Sequence, residues 1–406
     1  MESLSEAGAL LPLQLKQLGL SVERLLAVED FEQIPGFRLS EEARMALSQD
    51  GISTPTALQG EAIPSILAGR SAVLYSGTGT GKTLAYLLPL LERLRKSPEG
   101  RTVVFSPTTE LAMQTLKVAN RYGDPGLRTG ALVAEVNFRS QNARIQKSTR
   151  FIVGTPGRIL EEFARRRLKK VTTIVLDEPD PILASKGGDF LMEVLSRPEP
   201  RVQLILAAAT LGPRAEAVVA QSEKMGDEPM LRLTGDHSPL QANIRHYAIH
   251  VGPSGARDVT LARVIQENRI RRAIVFANQP ASLGHLYRYF NEHDLPAISL
   301  YHERSKGERD RALRQFRNSE ARVLVASDRS TRGLDIPELD WVLHYDLPHS
   351  AEAYVHRAGR TGRAGNFWRS MVLVTRENAG LLRRYSTALN LEFKDGRQGN
   401  EGQLPL

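Results

Sequence analysis

The 406-residue chain has no cysteine. Disulfides, thiolate metal sites and cysteine nucleophiles are excluded together. Nor does it contain an apolar run near the ~18 uninterrupted residues of a membrane span, so no membrane partner is expected. The N-terminus lacks a basic flank followed by an apolar core, the mark of a secretory signal. Glu2, Glu6, Glu23, Glu29 and Asp30 make it too acidic for a transit peptide. An intracellular setting is expected, with the compartment open. The nine histidines show no metal-ligand spacing, and His302 and His356 read as hydrogen-bonding residues of a cleft. Acidic residues are in deficit, 46 against 54 basic ones, for a net charge of +8. That balance suits a polyanionic partner. The 43 arginines against 11 lysines fit a genome-wide bias equally well, so the decision rests on motifs. The basic runs Ala164–Lys170 and Arg269–Arg272 read as solvated faces.

What is present is a soluble globular composition, 41% hydrophobic and 25% charged. The length exceeds one ordinary core, so two domains are expected. Short apolar segments alternate with helical ones. Strands are predicted at Ala72–Tyr75, Val103–Phe105, Leu132–Val133, Phe151–Val153, Thr173–Leu176 and Gln203–Leu206, with helices over Glu110–Tyr122 and Arg158–Arg167. A second series has strands at Arg245–His250, Ala273–Phe276, Ala297–Leu300, Val323–Ala326, Trp341–His344 and Met371–Val374. Helices at Val259–Glu267, Ser282–His293 and Lys306–Arg317 lie between them. This alternation implies α/β domains with parallel sheets covered on both faces. The expected division is a lead over 1–30, a first domain over 31–234, a linker over 235–243, a second domain over 244–393 and a flexible tail over 394–406.

Ser76–Thr83, SGTGTGKT, fits the phosphate-loop pattern G-x-x-x-x-G-K-[ST], with an apolar strand before it and an apolar helix after it. Gly77, Thr78, Gly79, Thr80 and Gly81 would turn the backbone so that N–H groups face a phosphate chain. Lys82 would neutralise β and γ phosphates, and the Thr83 hydroxyl would hold Mg²⁺. Further on, Val175-Leu176-Asp177-Glu178 reads as a strand ending in two carboxylates. Asp177 suits Mg²⁺ held through water, and Glu178 suits an attacking water. His356–Arg363, HRAGRTGR, makes a poor core. Arg360 and Arg363 fit arginine fingers that reach a γ-phosphate; a solvated basic turn or a plain RNA-phosphate patch are the other readings.

With these motifs in order, the chain resembles the DEAD-box ATP-dependent RNA helicases over about residues 31–390. The resemblance implies two tandem RecA-like domains of the P-loop NTPase, superfamily 2 helicase core. It implies ATP and Mg²⁺ as cofactors, and single-stranded or duplex RNA bound without sequence readout. It also implies ribonucleoprotein partners around a monomeric core. Gln59, within Gly51–Gln59, is implied to contact the adenine edge. Pro107-Thr108 and Thr155-Pro156-Gly157-Arg158 resemble motifs that hold RNA phosphates. Ser327 belongs to a third such segment, Ala326–Ile336, in which Gly333 and Asp335 are expected at the nucleotide, Asp335 near the ribose. The adenine-stacking aromatic is assigned to Phe31, with Phe37 and Ile34 as competing registers.

The chain departs from the family pattern at several points. Pro179 gives Asp-Glu-Pro-Asp. Thr109 stands where the family has an RNA-contacting arginine, and Ala208 where it has a serine. Lys306 replaces a glutamine, and Ala131–Val136 lacks a paired glycine. Proline removes an N–H and restricts Glu178, so a shift in carboxylate geometry is expected, and Ala208 implies a lost hydrogen bond between motifs. Nucleotide residues are kept while RNA contacts are eroded, which points to weakened unwinding. The rival readings are an ATP-held clamp assisting ribonucleoprotein assembly, and a DNA translocase.

Overall fold

The computed structural model describes residues 29–396, apart from 78–79, 98, 134–147, 166–167, 186, 196–201, 227, 235–243, 253–254, 301–305, 332–335, 337–338 and 360–367. The chain divides into two compact units at residue 237. The expected linker over 235–243 lies outside the described residues.

In the first unit seven parallel strands lie in the order β3-β4-β2-β5-β6-β1-β7. They are β1 (Ala72–Tyr75), β2 (Arg101–Phe105), β3 (Thr129–Leu132), β4 (Phe151–Gly154), β5 (Val171–Asp177), β6 (Gln203–Ala208) and β7 (Leu231–Thr234). The helices between them are α1 (Glu41–Gln49), α2 (Ala57–Leu67), α3 (Lys82–Lys96), α4 (Thr109–Tyr122), α5 (Pro156–Ala164), α6 (Pro179–Leu183), α7 (Gly187–Leu195) and α8 (Pro213–Met225). The central strands are mainly apolar because both faces are covered. Successive strand residues join different cores: Leu74, Val104, Val175 and Ile205 pack with α1–α4. Val73, Val103, Ile174 and Leu204 pack with α5–α8.

The second unit repeats the plan in the order β10-β11-β9-β12-β13-β8-β14. Its strands are β8 (Ile244–His250), β9 (Ala273–Phe276), β10 (Ala297–Leu300), β11 (Val323–Ala326), β12 (Trp341–His344), β13 (Trp368–Val374) and β14 (Lys394–Asp395). Its helices are α9 (Gly255–Glu267), α10 (Pro280–Glu292), α11 (Lys306–Arg317), α12 (Asp328–Thr331), α13 (Ala351–Ala358) and α14 (Ala379–Leu389). Val275 and Leu343 face one core, Ile274 and Val342 the other.

Two differences from the sequence expectation bear on the boundaries. Lys394 and Asp395 pair with Tyr247 and Ala248 of β8, and the Gly396 N–H donates to the Ala248 carbonyl at 2.9 Å. The start of the expected tail is therefore part of the sheet. In addition β7, α1, α2, α6, α7, α8, α12, α13 and α14 form where no element was predicted. β7 escapes an apolar-run search because only alternate residues are buried, as suits an edge strand.

Candidate nucleotide site and its relatives

β6 lies between β1 and β5 in the sheet, and its last residues fix both loops of the site. The Ser76 N–H donates to the Ala208 carbonyl at 3.1 Å, and the Glu178 N–H donates to the Ala207 carbonyl at 3.0 Å. The phosphate-type loop and the paired carboxylates are thereby held at one sheet edge. Within that loop, Thr78 and Gly79 lie outside the described residues. Gly81 caps α3 at φ 88°, a left-handed conformation that favours glycine. A Cβ there would lie 2.4 Å from Gln59 Nε2. Lys82 and Thr83 occupy the first turn of this 15-residue helix, where N–H groups and the helix dipole favour an anion.

Gln59 is 2% exposed. Its Nε2 donates to the Gly81 carbonyl at 3.2 Å. Its Oε1 accepts from the Thr56 N–H at 3.0 Å, and its own N–H donates to Thr56 Oγ1 at 3.3 Å. This capping box joins the Gly51–Gln59 segment to the phosphate loop.

The Lys82 ammonium donates to the Ser76 carbonyl. Burial lowers its pKa to about 8 against the opposing pull of Asp177 and Glu178. Burial and the neighbouring Glu178 raise Asp177 to about 6, although Tyr86 and Lys82 oppose the shift. Both groups have been taken out of water with incomplete compensation. Phosphates would restore the charged lysine, and a divalent cation the carboxylate. Thr83 and Asp177 offer hard oxygens, few in number, which suits Mg²⁺ that keeps waters and phosphate oxygens as its other ligands. The residues present therefore fit a magnesium nucleotide.

Glu178 is the N-cap of α6 at φ 61°, ψ 75°, a costly left-handed conformation for a residue with a side chain. Pro179 follows at the first helical position, where a missing N–H costs nothing. The expected disturbance by proline thus reduces to the backbone of Glu178. Asp180 Oδ1 accepts the Gly212 N–H at 3.0 Å, tying the Asp-Glu-Pro-Asp turn to the loop after β6. A Cβ on Gly212 would lie 2.6 Å from that oxygen. The turn and the loop after β6 are thus joined by a main-chain N–H and the Asp180 carboxylate, without a hydroxyl at Ala208. Thr210 Oγ1 is buried with no hydrogen-bond partner among the described residues.

Phe31, Ile34 and Phe37 are each 2% exposed in one core. For Phe31 to stack on a base, its ring must leave that packing. Thr108 caps α4 through Leu111 N–H at 3.2 Å, and Thr155 caps α5, with Pro156 and Gly157 opening it. Pro107 and Thr109 flank the first cap, both half-buried. Arg158 pairs with Glu161 and is 14% exposed.

In the second unit, Arg360 and Arg363 lie outside the described residues, as do Gly333, Asp335 and His302. The arginine that precedes them is resolved and differs from expectation. Arg357 is 1% exposed, although its segment looked unfit for a core. It donates to both Asp328 oxygens at 2.6 and 2.8 Å, to Asn278 Oδ1 at 2.6 Å and to the Asp346 carbonyl at 2.8 Å. Its guanidinium also lies 5.0 Å from the Phe276 ring centre. One buried cation so gathers the segments that follow β9, β11 and β12. Ser327 opens α12 in a reciprocal pair: its N–H donates to Ser330 Oγ at 2.9 Å and its Oγ accepts from the Ser330 N–H at 3.3 Å. Gly212, Tyr86 and Arg357 were missed as site residues because each acts through a buried contact, although Arg357 lies within the HRAGRTGR segment and Tyr86 three residues after the phosphate-loop pattern.

Comparison with known proteins agrees with this arrangement. Residues 56–218 match the DEAD/DEAH box helicase family, and residues 257–365 match the helicase conserved C-terminal domain. The DEAD-box ATP-dependent RNA helicase CshC of Bacillus cereus is 34% identical over 355 residues, covering 86% of this chain and 90% of that protein. A probable ATP-dependent RNA helicase of Bacillus subtilis, YfmL, is 32% identical over 351 residues, covering 85% and 91%. The structure of Saccharomyces cerevisiae Dbp5 bound to RNA and ADP BeF3 is similar with a TM-score of 0.75 at 26% identity, covering 90% of this chain and 95% of that one. The two parallel sheets, the site built around β6 and these relatives together show that the chain belongs to the DEAD-box family of ATP-dependent RNA helicases.

Proposed function

We propose that this protein binds ATP with Mg²⁺ in its first unit, hydrolyses it, and uses the cycle to grip and remodel RNA without reading sequence. The observation that carries the reading is the double anchor on β6, which holds the phosphate loop and Glu178 at one edge. Main-chain N–H groups of 77–81 and the Lys82 ammonium bind the phosphates. Thr83 and Asp177 hold Mg²⁺, partly through water. When bound, the cation neutralises phosphate charge. Glu178 orients the attacking water and takes its proton. Gln59 reads the adenine edge, Phe31 stacks on the base once released from its packing, and Gly333 and Asp335 meet the ribose side. Arg360 and Arg363 supply positive charge to the transferring phosphoryl group, so turnover depends on both units.

RNA phosphates are held at Pro107, Thr108, Thr155, Gly157, Arg158 and Ser327. Thr108 and Thr155 stand at the N-termini of α4 and α5, where the helix dipole favours phosphate. Such contacts recognise backbone rather than bases, and binding weakens as salt rises. The RNA bound to Dbp5 in its structure supports the choice of RNA over DNA. With Pro179 and Ala208 absorbed locally, Thr109, Lys306 and the missing glycine pair in Ala131–Val136 remain as the departures able to weaken RNA coupling.

The test is release of a short RNA duplex by the intact protein and by Glu178→Gln. ATP-dependent release by the native protein, lost in the variant, is expected. Equal release by both would favour an ATP-held clamp, and no release by either would remove the remodelling claim.

A further inference from the structure

Tyr86 has no part in the chemistry above, yet its hydroxyl sits among the residues that carry it. It lies one helical turn after Thr83 on α3, on the same face, and is 0% exposed. The hydroxyl donates to Asp177 Oδ2 at 2.8 Å. Thr83 and Thr115 are neighbours that partly oppose the rise in the phenol's pKa, and Thr115, on α4, is 1% exposed.

A phenol has one proton to give and lone pairs with which to accept. An ionised carboxylate can only accept, so the phenol proton belongs to Asp177. Asp177 thus has one oxygen fixed by the phenol, which orients its carboxylate. Burial keeps the phenol neutral by raising its pKa well above 10.

We propose that Tyr86 is a positioning residue for the divalent cation: it donates to Asp177, and so presets the carboxylate expected to hold Mg²⁺. The inference rests on the reading of this loop as a Mg²⁺–nucleotide site. Groups that orient metal ligands typically change metal affinity by about 10- to 100-fold when removed; a lower figure is expected here, because phosphate oxygens share the cation.

The test is binding of a fluorescent ADP analogue to the full chain, in EDTA and across a Mg²⁺ titration, for the native protein and Tyr86→Phe. Phenylalanine keeps the ring and removes only the hydroxyl. Affinity in EDTA within about two-fold of native is expected, with the Mg²⁺ midpoint raised at least about five-fold. An unchanged midpoint overturns the proposal. Thr115→Val is the second variant, since it loosens the same core but leaves Thr83, Tyr86 and Asp177 together. Its midpoint is expected within about two-fold of native, and a shift as large as that of Tyr86→Phe would mean general loosening and also overturn the proposal. Native protein that binds the analogue with no Mg²⁺ effect overturns it at the metal, while native protein that binds no analogue overturns the site reading and the proposal with it.

Discussion

Gly81 has its role fixed by two independent constraints. Its φ of 88° disfavours any side chain, and Gln59 Nε2 occupies the space a Cβ would need. Gly81→Ala is expected to weaken nucleotide binding at least ten-fold in calorimetric titration, with a fold cost of about 1–2 kcal/mol for the left-handed alanine. Pro179 is the opposite case, a visible departure with a small local effect. At the first turn of α6 it needs no N–H. Pro179→Ala is expected to change unfolding free energy by no more than about 1 kcal/mol, measured by urea titration. ATP turnover is expected to stay within about three-fold, since Glu178 remains held by Ala207. A ten-fold rise would identify proline as a brake on Glu178. The phosphate loop and the two carboxylates were legible because their pattern is contiguous. Gly212 and Tyr86 were not, because their partners lie 32 and 91 positions away, and no local signal marks a pair of that kind.

Elements were legible where burial makes them apolar. The strands at Ala72–Tyr75, Ala273–Phe276 and Trp341–His344 have the bounds the sequence predicts, since each is enclosed on both faces. β7 and β14 were not seen, being respectively half-exposed and two residues long. The central strands of the second sheet also carry a polar surprise. His246 Nδ1 lies 2.7 Å from Tyr354 Oη, which lies 3.1 Å from Ser370 Oγ, itself 3.0 Å from His344 Nε2. This chain crosses β8, β13 and β12 beneath α13. Burial lowers His246 to about 4 and His344 well below the ordinary histidine range. The folded unit thus excludes protons that the unfolded chain binds below its histidine value of 6.5. Stability is present above that pH and is lost as pH falls from 6.5 towards 4, by on the order of 3 kcal/mol for His246. Both tryptophans, Trp341 and Trp368, belong to this sheet, so their fluorescence reports this unit. The urea midpoint it gives is expected to fall between pH 7 and pH 4.5, and to fall less in His246→Gln. An equal fall in the variant would remove His246 as the cause.

On the scale of the whole molecule, the two units use one α/β plan for different ends. The first carries a phosphate loop and carboxylates on a shared strand anchor. The second devotes its buried Arg357 to joining loops, directly ahead of Arg360 and Arg363. The two-unit plan was legible from alternating apolar segments, since parallel sheets bury both faces and leave no polar alternation to confuse the pattern. The family was legible from motif order. What the departures do was not, because Pro179 and Ala208 are judged only against the contacts around them. The measurement that bears most directly on the central claim is steady-state ATP hydrolysis by the intact protein, without nucleic acid, with single-stranded RNA and with DNA of the same sequence. Hydrolysis raised several-fold by RNA but not by DNA, and abolished by Arg360→Ala, is the expected result. Hydrolysis indifferent to RNA, or unchanged by Arg360→Ala, would contradict an ATP cycle coupled to RNA through both units.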